Sequence, residues 1–287
     1  MQSAKLISFQ HSDLGSITSV QNFLGSLFGL RKRIGNGKLL FRGQPVGTWR
    51  LLPSVGRKQE YGGRTKYFSA HDELQLLFRF RRRIYPHEQR VLSAGEALFL
   101  ARHHGLPTRL LDWTANALFG LYFAVFEYPK ASGVLWAILR NEKRQLLNVF
   151  DLAKMPDEED LFKGYQPDTR RARRGTKTSE AIKIVDPFFN SPRIVAQDGA
   201  FTLHSNPSRP LEKYAGILFR PDRLDISALY SWRISANFKR DLIAELSGLG
   251  ITHRMLFPDL DGIARSVWET DVLWVKTPAI TRSKKRS

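Results

Sequence analysis

The chain has no cysteine. Structural disulfides and thiolate chemistry are therefore excluded, and a cytoplasmic setting is the expectation. Long hydrophobic runs are missing too. The best of them, residues 117–126, falls short of the roughly 20 apolar residues that a membrane helix needs. The first residues, MQSAKLISFQHSDLGS, lack the apolar stretch of a secretory signal. No membrane partner is expected. Familiar catalytic signatures are absent as well: there is no GxxxxGK[S/T] phosphate loop, no GxGxxG, no HExxH and no GxSxG. Seven histidines are scattered, and only His103 and His104 are neighbours. Adjacent residues on a helix point about 100° apart, so the pair is ill placed to share one ion. No metal is expected.

Acidic residues are scarce. Asp and Glu number 27 against 45 Lys and Arg, a formal net charge of +18. That excess favours polyanionic partners such as nucleic acid or phosphorylated cofactors. The plain alternative is a basic surface with no specific partner. Charge alone says nothing about base recognition, because phosphate contacts position rather than specify.

What is present suffices for a folded chain. Hydrophobic residues make up 42%, with 19 Phe and 6 Trp among 287 residues. Residues 18–30 set Val20, Phe23, Leu24, Leu27 and Phe28 on one helical face, with Thr18 or Ser19 to cap it. Leu39-Leu40-Phe41 reads as a buried strand ended by Arg42-Gly43-Gln44, and residues 49–52 as another. Residues 60–66 read as a loop. Residues 69–84 form a long helix with Leu74, Leu77, Phe78 and Phe80 inward and a basic end at Arg81, Arg82 and Arg83. Ser93 and Glu96 make a capping box, so a helix starts there. A buried helix follows from about Asn116 to Tyr128, then a strand over 133–139.

Residues 141–180 read as a long insertion carrying the densest basic patch: Arg170, Arg171, Arg173, Arg174 and Lys177. Strands are expected over 181–185, within 193–204 with a bend at Asp198-Gly199, and over 216–219. Helices are expected over 235–249 and 258–268, and the basic tail 281–287 is expected to be disordered. Helices cluster early and strands late. This is the order of an α+β fold: one domain over 1–280, with a helical half (18–130) and a strand-rich half (131–280), the N-terminal helical portion packed on a mixed, mostly antiparallel sheet.

The chemistry concentrates between two apolar helices, in HHGLPTRLLDWTAN. His103, His104, Thr108, Arg109, Asp112, Trp113, Thr114 and Asn116 are not ordinary loop composition, and loops on a rigid scaffold are where function is often placed. Arg42 is a long cation at the end of an apolar strand. It is either a structural residue holding carbonyls or a carboxylate, or a fork for phosphate or a ligand carboxylate. Asp112 lies between Leu111 and Trp113 and should pair with an arginine, for which Arg42 and Arg109 are the candidates.

These residues carry a resemblance. Phe41-Arg42-Gly43-Gln44 followed by Trp49, Leu52, Pro53, Ser54 and Arg57 resembles the motif of the FRG domain family. HHGLPTRLLDWTANALFGLYFAV is similar to that family's central motif, with His103 where the family often has Gln. Gln197, Gly199, Phe201 and His204 resemble its later Q-x-G-x-F-x-x-H element, and residues 256–262 its closing F-P-D-L-D-G. A second, weaker resemblance is to ADP-ribosyltransferases, whose aromatic-Arg-Gly strand end contacts NAD. They place a catalytic Glu on a later strand, and here Gln197 or Asp198 stands instead.

The resemblance implies an ADP-ribosyltransferase-like α+β fold that uses NAD as a substrate. Arg42, Thr114, Gln197 and Asp198 would be its catalytic residues. Arg42, Gly43, Gln44, His104, Arg109, Asp112, Trp113 and Asn116 would hold the cofactor. Arg42 would clamp the pyrophosphate or ribose of NAD, Thr114 and His104 would orient the nicotinamide ribose, and Gln197 or Asp198 would hold a ribose hydroxyl. Arg81, Arg82, Arg83, Arg170, Arg171, Arg173 and Arg174 would bind a nucleic-acid acceptor; a protein acceptor is the other possibility. Two alternatives stand beside this: a non-catalytic nucleic-acid or nucleotide-binding module, and a toxin or defence effector of other chemistry.

Overall fold

A computed structural model describes residues 6–61, 63–141, 147–148, 180–186 and 192–268. The chain enters through β1 (Gln10–Ser16) and α1 (Val20–Ile34). Ser19 caps α1 by accepting from Asn22 N, and Arg31, Lys32 and Arg33 occupy the last turn, where the helix dipole favours cations. Next come β2 (Leu39–Gln44), the hairpin β3 (Gln59–Tyr61) and β4 (Arg64–Lys66), then α2 (Ala70–Arg83) and α3 (Tyr85–Glu88). α4 (Ala94–His103) opens with the reciprocal Ser93–Glu96 capping box that its sequence announces. β5 (Leu110–Thr114), α5 (Ala117–Val125) and β6 (Gly133–Arg140) follow. After β7 (Leu147–Asn148) and β8 (Ile182–Asp186) come α6 (Pro192–Ala196), β9 (Gly199–His204), β10 (Ile226–Ile234), α7 (Ala236–Gly248), α8 (His253–Leu256) and α9 (Leu260–Trp268).

Eight strands form one mixed sheet in the order β1-β10-β6-β2-β5-β9-β8-β7. β1 runs parallel to β10 and β7 to β8; every other neighbouring pair is antiparallel. The fold is thus α+β with a mixed, mostly antiparallel sheet. Early and late strands interleave: β10 lies between β1 and β6, and β9 lies beside β5.

Both faces of the sheet are covered. Alternation along β2 sends Leu39 and Phe41 to one side, where they meet Phe23 of α1, Phe119 of α5, and Leu242 of α7. Leu40 faces the other side with Leu51, Trp113, Trp136 and Tyr214. A third cluster packs Leu77 of α2 and Leu98 of α4 against Phe201 of β9.

The structure departs from the sequence reading at several places. Residues 49–52 are a turn, not a strand: Trp49 N donates to Val46 O, and Gln44 Nε2 donates to Arg50 O. Residues 60–61 and 64–66, expected in a loop, belong to the paired strands β3 and β4. Residues 193–198 are helix and turn, because Pro192 fits the first turn of a helix and Asp198, at φ 45, leads into β9. Residues 216–219 give an isolated bridge, Ile7 with Phe219. β10 is a nine-residue strand at positions for which no element was expected. Phe28 and Phe78, assigned to apolar faces, are exposed. Of the basic insertion, Arg170, Arg171, Arg173, Arg174 and Lys177 lie outside the described residues, as does the tail 281–287.

Candidate active site

β2 pairs with β6 over its whole length, but with β5 at the single position Phe41–Thr114. The two strands splay, and a cleft of about 640 Å³ opens where they part. Arg42, Asp112 and Gln197 line it, with Arg102 of α4 and Arg193 of α6. Its volume lies within the range of small-molecule sites.

Gly43 lines the cleft, and α5 explains why it is glycine. A Cβ there would sit 2.2 Å from both Ala124 N and Gly120 O. Gly120 answers from the helix, where a Cβ would come 2.7 Å from Phe41 Cβ. Backbone meets backbone at this crossing, and that contact sets the depth at which Arg42 leaves the strand.

Asp112 is the electrostatic centre. Arg102 Nε donates to its Oδ1 at 2.9 Å, and Arg102 Nη2 donates to Oδ2. Arg42 Nη1 donates to Asp112 O at 2.8 Å and reaches Oδ2 at 3.4 Å. The surrounding protein works against the charged carboxylate, although 38% of the side chain still meets solvent. The charge and hydrogen bonds of Arg102, then the charge of Arg42, overcome that and hold the carboxyl down to about 2. Burial lowers Arg42 to about 10; Asp112 opposes this, and Arg57 and Arg102 add to it. Arg42 Nε is buried with no hydrogen-bond partner among the described residues.

The far wall is tied to the near one through Thr114. Its hydroxyl donates to Gln197 O at 2.7 Å and accepts from Asn116 N at 3.1 Å. Asn116 Oδ1 caps α5 by accepting from Leu118 N and Phe119 N. Gln197 Nε2 donates to Leu256 O at 2.9 Å, which leaves Oε1 as its acceptor. Behind the cleft, Trp113 Nε1 donates to Thr202 Oγ1, which is also 2.9 Å from His204 Nε2.

Residues 37–132 match the family model of the FRG domain. Over that stretch the chain is similar to the FRG domain. The match runs from β2 through α5 and so includes the Arg42–Asp112 side of the cleft; Arg193 and Gln197 lie beyond it. No curated protein and no solved structure matches the chain.

Within the matched stretch, Arg42, Gly43, Asp112, Trp113 and Thr114 come together, and Gln197 joins them from outside it. Other residues expected at the site are elsewhere. Arg109 is buried in an ion pair with Glu73 of α2, with Nη2 2.7 Å from Oε2, and Arg109 N also donates to Glu73 Oε1. It is therefore not the partner of Asp112. His104 is the exposed C-cap of α4, while His103 beside it lines the cleft. Burial, with His104 and Arg193 nearby, lowers the His103 pKa. Gln44 is buried, accepting from Trp136 Nε1 and donating to Arg50 O. Asp198 is exposed, and its carbonyl accepts from Ala115 N. Asn116 caps a helix rather than facing the cleft. On α2, Arg81 Nε donates to Leu92 O, while Arg82 and Arg83 are exposed.

Sequence reasoning missed Arg102, hidden in the apolar run LFLARHH, although its position ten residues before Asp112 across a tight corner was a usable signal. It also missed the wall of α8 and α9. There His253 stacks on Phe126 at 4.8 Å and on Phe257 at 4.3 Å. Arg265 lies over Phe126 and Arg193 over Phe257. Asp259, at the start of α9, accepts from Gly262 N.

Proposed function

We propose that the cleft binds NAD and that the protein is an ADP-ribosyltransferase-like enzyme. The observation that carries this reading is the convergence of Arg42, Arg102, Arg193 and Gln197 on one aromatic-walled cleft. Planar guanidinium groups suit a pyrophosphate. Arg42 has a buried Nε without a partner among the described residues. The Arg193 guanidinium is 4.4 Å from the Phe257 ring centroid and makes no ion pair among the described residues. Gln197 Oε1 suits a ribose hydroxyl. In the reaction, the bond between nicotinamide and ribose C1′ breaks and nicotinamide leaves with the electron pair. An acceptor oxygen or nitrogen attacks C1′ and gives up its proton. Catalysis by positioning and electrostatics fits this residue set. Compared with the sequence expectation, Thr114 becomes a strut, His103 replaces His104, and Asp198 drops out.

One observation favours a second reading, a binding module without turnover. The described carboxylates lining the cleft are already engaged: Asp112 with Arg102, Glu127 with Arg265 at 3.7 Å, and Asp259 with Gly262 N. Calorimetry with NAD and an assay of nicotinamide release separate the two. The transferase reading expects binding and slow release, with both lost in Arg42→Ala and largely lost in Arg42→Lys. Binding without release across protein, DNA and RNA acceptors supports the module, and no NAD binding at all removes the dinucleotide from both.

A further inference from the structure

Two exposed aromatic rings pack together outside the core, and one of them lines the cleft. Trp49, on the loop after β2, lines the cleft and is 37% exposed. Tyr128, just past α5, is 51% exposed. Their centroids lie 5.3 Å apart, edge to face at 78°. The Arg57 guanidinium is 6.0 Å from the Trp49 ring centroid.

These rings are held in place. Lys239 of α7 is only 1% exposed. Its ammonium donates to Pro45 O at 2.6 Å, Glu127 O at 3.0 Å and Tyr128 O at 3.1 Å. Gly47 N donates to Ser132 O at 2.7 Å. A buried cation therefore fastens the Trp49 loop to the Tyr128 loop, an arrangement that carries a desolvation cost. Tyr128 also sits at φ 52, a left-handed conformation that a bulky side chain rarely takes. Backbone strain and a buried clamp, both serving two exposed rings, point to a ligand rather than to packing.

We propose that the Trp49–Tyr128 pair is a stacking platform for an unpaired base of a single-stranded nucleic acid, with neighbouring phosphates on Arg57 and Arg265. Aromatic rings interleaved with arginines are how single strands are gripped without sequence preference, since every base has a π-face. Arg265 lines the same cleft and lies 4.3 Å from the Phe126 ring centroid, two residues before Tyr128. The net charge of +18 suits a long polyanion better than an acidic peptide of one or two charges. A duplex keeps its bases stacked on each other and offers the platform nothing. Binding of the strand is independent of the transferase reading; only its naming as the acceptor rests on that reading.

Fluorescence anisotropy of the full chain with labelled single-stranded DNA and RNA 12-mers tests this, against duplexes of the same sequence and against heparin, a polyanion without bases. Single strands should bind more tightly than duplexes. Trp49→Leu and Tyr128→Gly should each weaken single-strand binding roughly tenfold or more, the scale of one lost base stack. Heparin binding should stay within twofold. Glycine tolerates the left-handed backbone, so Tyr128→Gly removes the ring without threatening the fold. Trp49→Phe should restore most of the affinity. Equal losses on heparin, equal affinity for duplex, or unchanged single-strand binding in both variants would each overturn the platform. Failure of NAD binding in calorimetry would leave these results standing and strike only the transferase reading.

Discussion

Arg102 and Asp112, ten residues apart, meet through two parallel hydrogen bonds across the corner between α4 and β5, with Nε 2.9 Å from Oδ1. A bidentate pair of this kind is both strong and directional. Arg42 joins the same carboxylate from β2. Asp112 is therefore the counter-ion that lets two arginines share one cleft.

Asp112→Asn should leave Arg42 and Arg102 facing each other with no charge between them. Breaking a fully buried pair costs about 3–5 kcal/mol. Asp112 is 38% exposed, so screening by solvent lowers the expectation to roughly 2 kcal/mol. Urea denaturation at neutral pH measures it. The folded-state pKa is depressed from 3.8 to about 2. Its stabilisation is thus present above pH 3.8 and is lost as pH falls through about 2. The difference between wild type and Asp112→Asn should shrink over that window.

Glycines at two places should respond in opposite directions to alanine. Gly43→Ala drives a methyl into the backbone of α5, 2.2 Å from Ala124 N, and should destabilise by about 3 kcal/mol or more. Gly25, inside α1, would meet nothing within 4 Å. Gly25→Ala should stabilise by roughly 0.5–1 kcal/mol through helix propensity. Equal effects in thermal melts would contradict the backbone contact at Gly43.

Much of this was legible in the sequence. The Ser93–Glu96 capping box and the apolar spacing of Val20, Phe23 and Leu27 are local signals, and they placed α4 and α1. β10 left no such signal. Its buried residues, Ile226, Leu229, Ser231, Trp232 and Ile234, do not alternate, because both faces of the strand are covered and its register shifts between Ile226 and Ala228. The cleft was half legible. Arg42 and Asp112 stood out as charges in apolar runs. Arg193 and Arg265 acquire meaning only from the rings beneath them, Phe257 and Phe126, and no sequence spacing announces those contacts. Arg109 misled for the opposite reason: its partner, Glu73, lies 36 residues away on α2.

Glu73→Gln should be among the most damaging single changes. The Glu73 carboxylate takes the Arg109 guanidinium along one edge and the Arg109 backbone N–H as well, in a fully buried setting. Removing its charge leaves a buried guanidinium uncompensated, a loss of about 3–5 kcal/mol. Arg109→Lys should recover little, because an ammonium cannot make the planar pair. Chemical denaturation reads both variants, and a Glu73→Gln midpoint matching wild type would show that the pair is dispensable.

His204 should make the protein sensitive to mild acid. It is fully buried on β9, and burial, then the charges of Arg109 and Arg42, push its pKa from 6.5 down to about 3. The unfolded chain therefore binds a proton between those values that the folded chain refuses. Stability should be complete above pH 6.5 and fall as pH drops toward 3, by up to about 1.4 kcal/mol per pH unit for this one group. His204→Gln keeps a polar partner for Thr202 and removes the titration. It should flatten the melting temperature profile between pH 6 and 4, whatever its effect at pH 7. An identical slope in wild type and variant would assign the acid sensitivity to other groups.

Lys239→Met tests the clamp on the two loops. Methionine matches the length of lysine but donates no hydrogen bond, so the carbonyls of Pro45, Glu127 and Tyr128 lose that donor. Each buried acceptor left bare costs about 1–3 kcal/mol, but methionine removes the buried charge at the same time. The net loss of stability should be modest, and the local effect larger than the global one. Hydrogen exchange should quicken at Gly47, whose N–H bridges to Ser132, and at Ala131, whose N–H donates to Tyr128 O. Exchange in β6 and β10, which are interior strands paired on both sides, should change little. If Gly47 and Ala131 exchange no faster than in wild type, Lys239 is not what fixes the two loops.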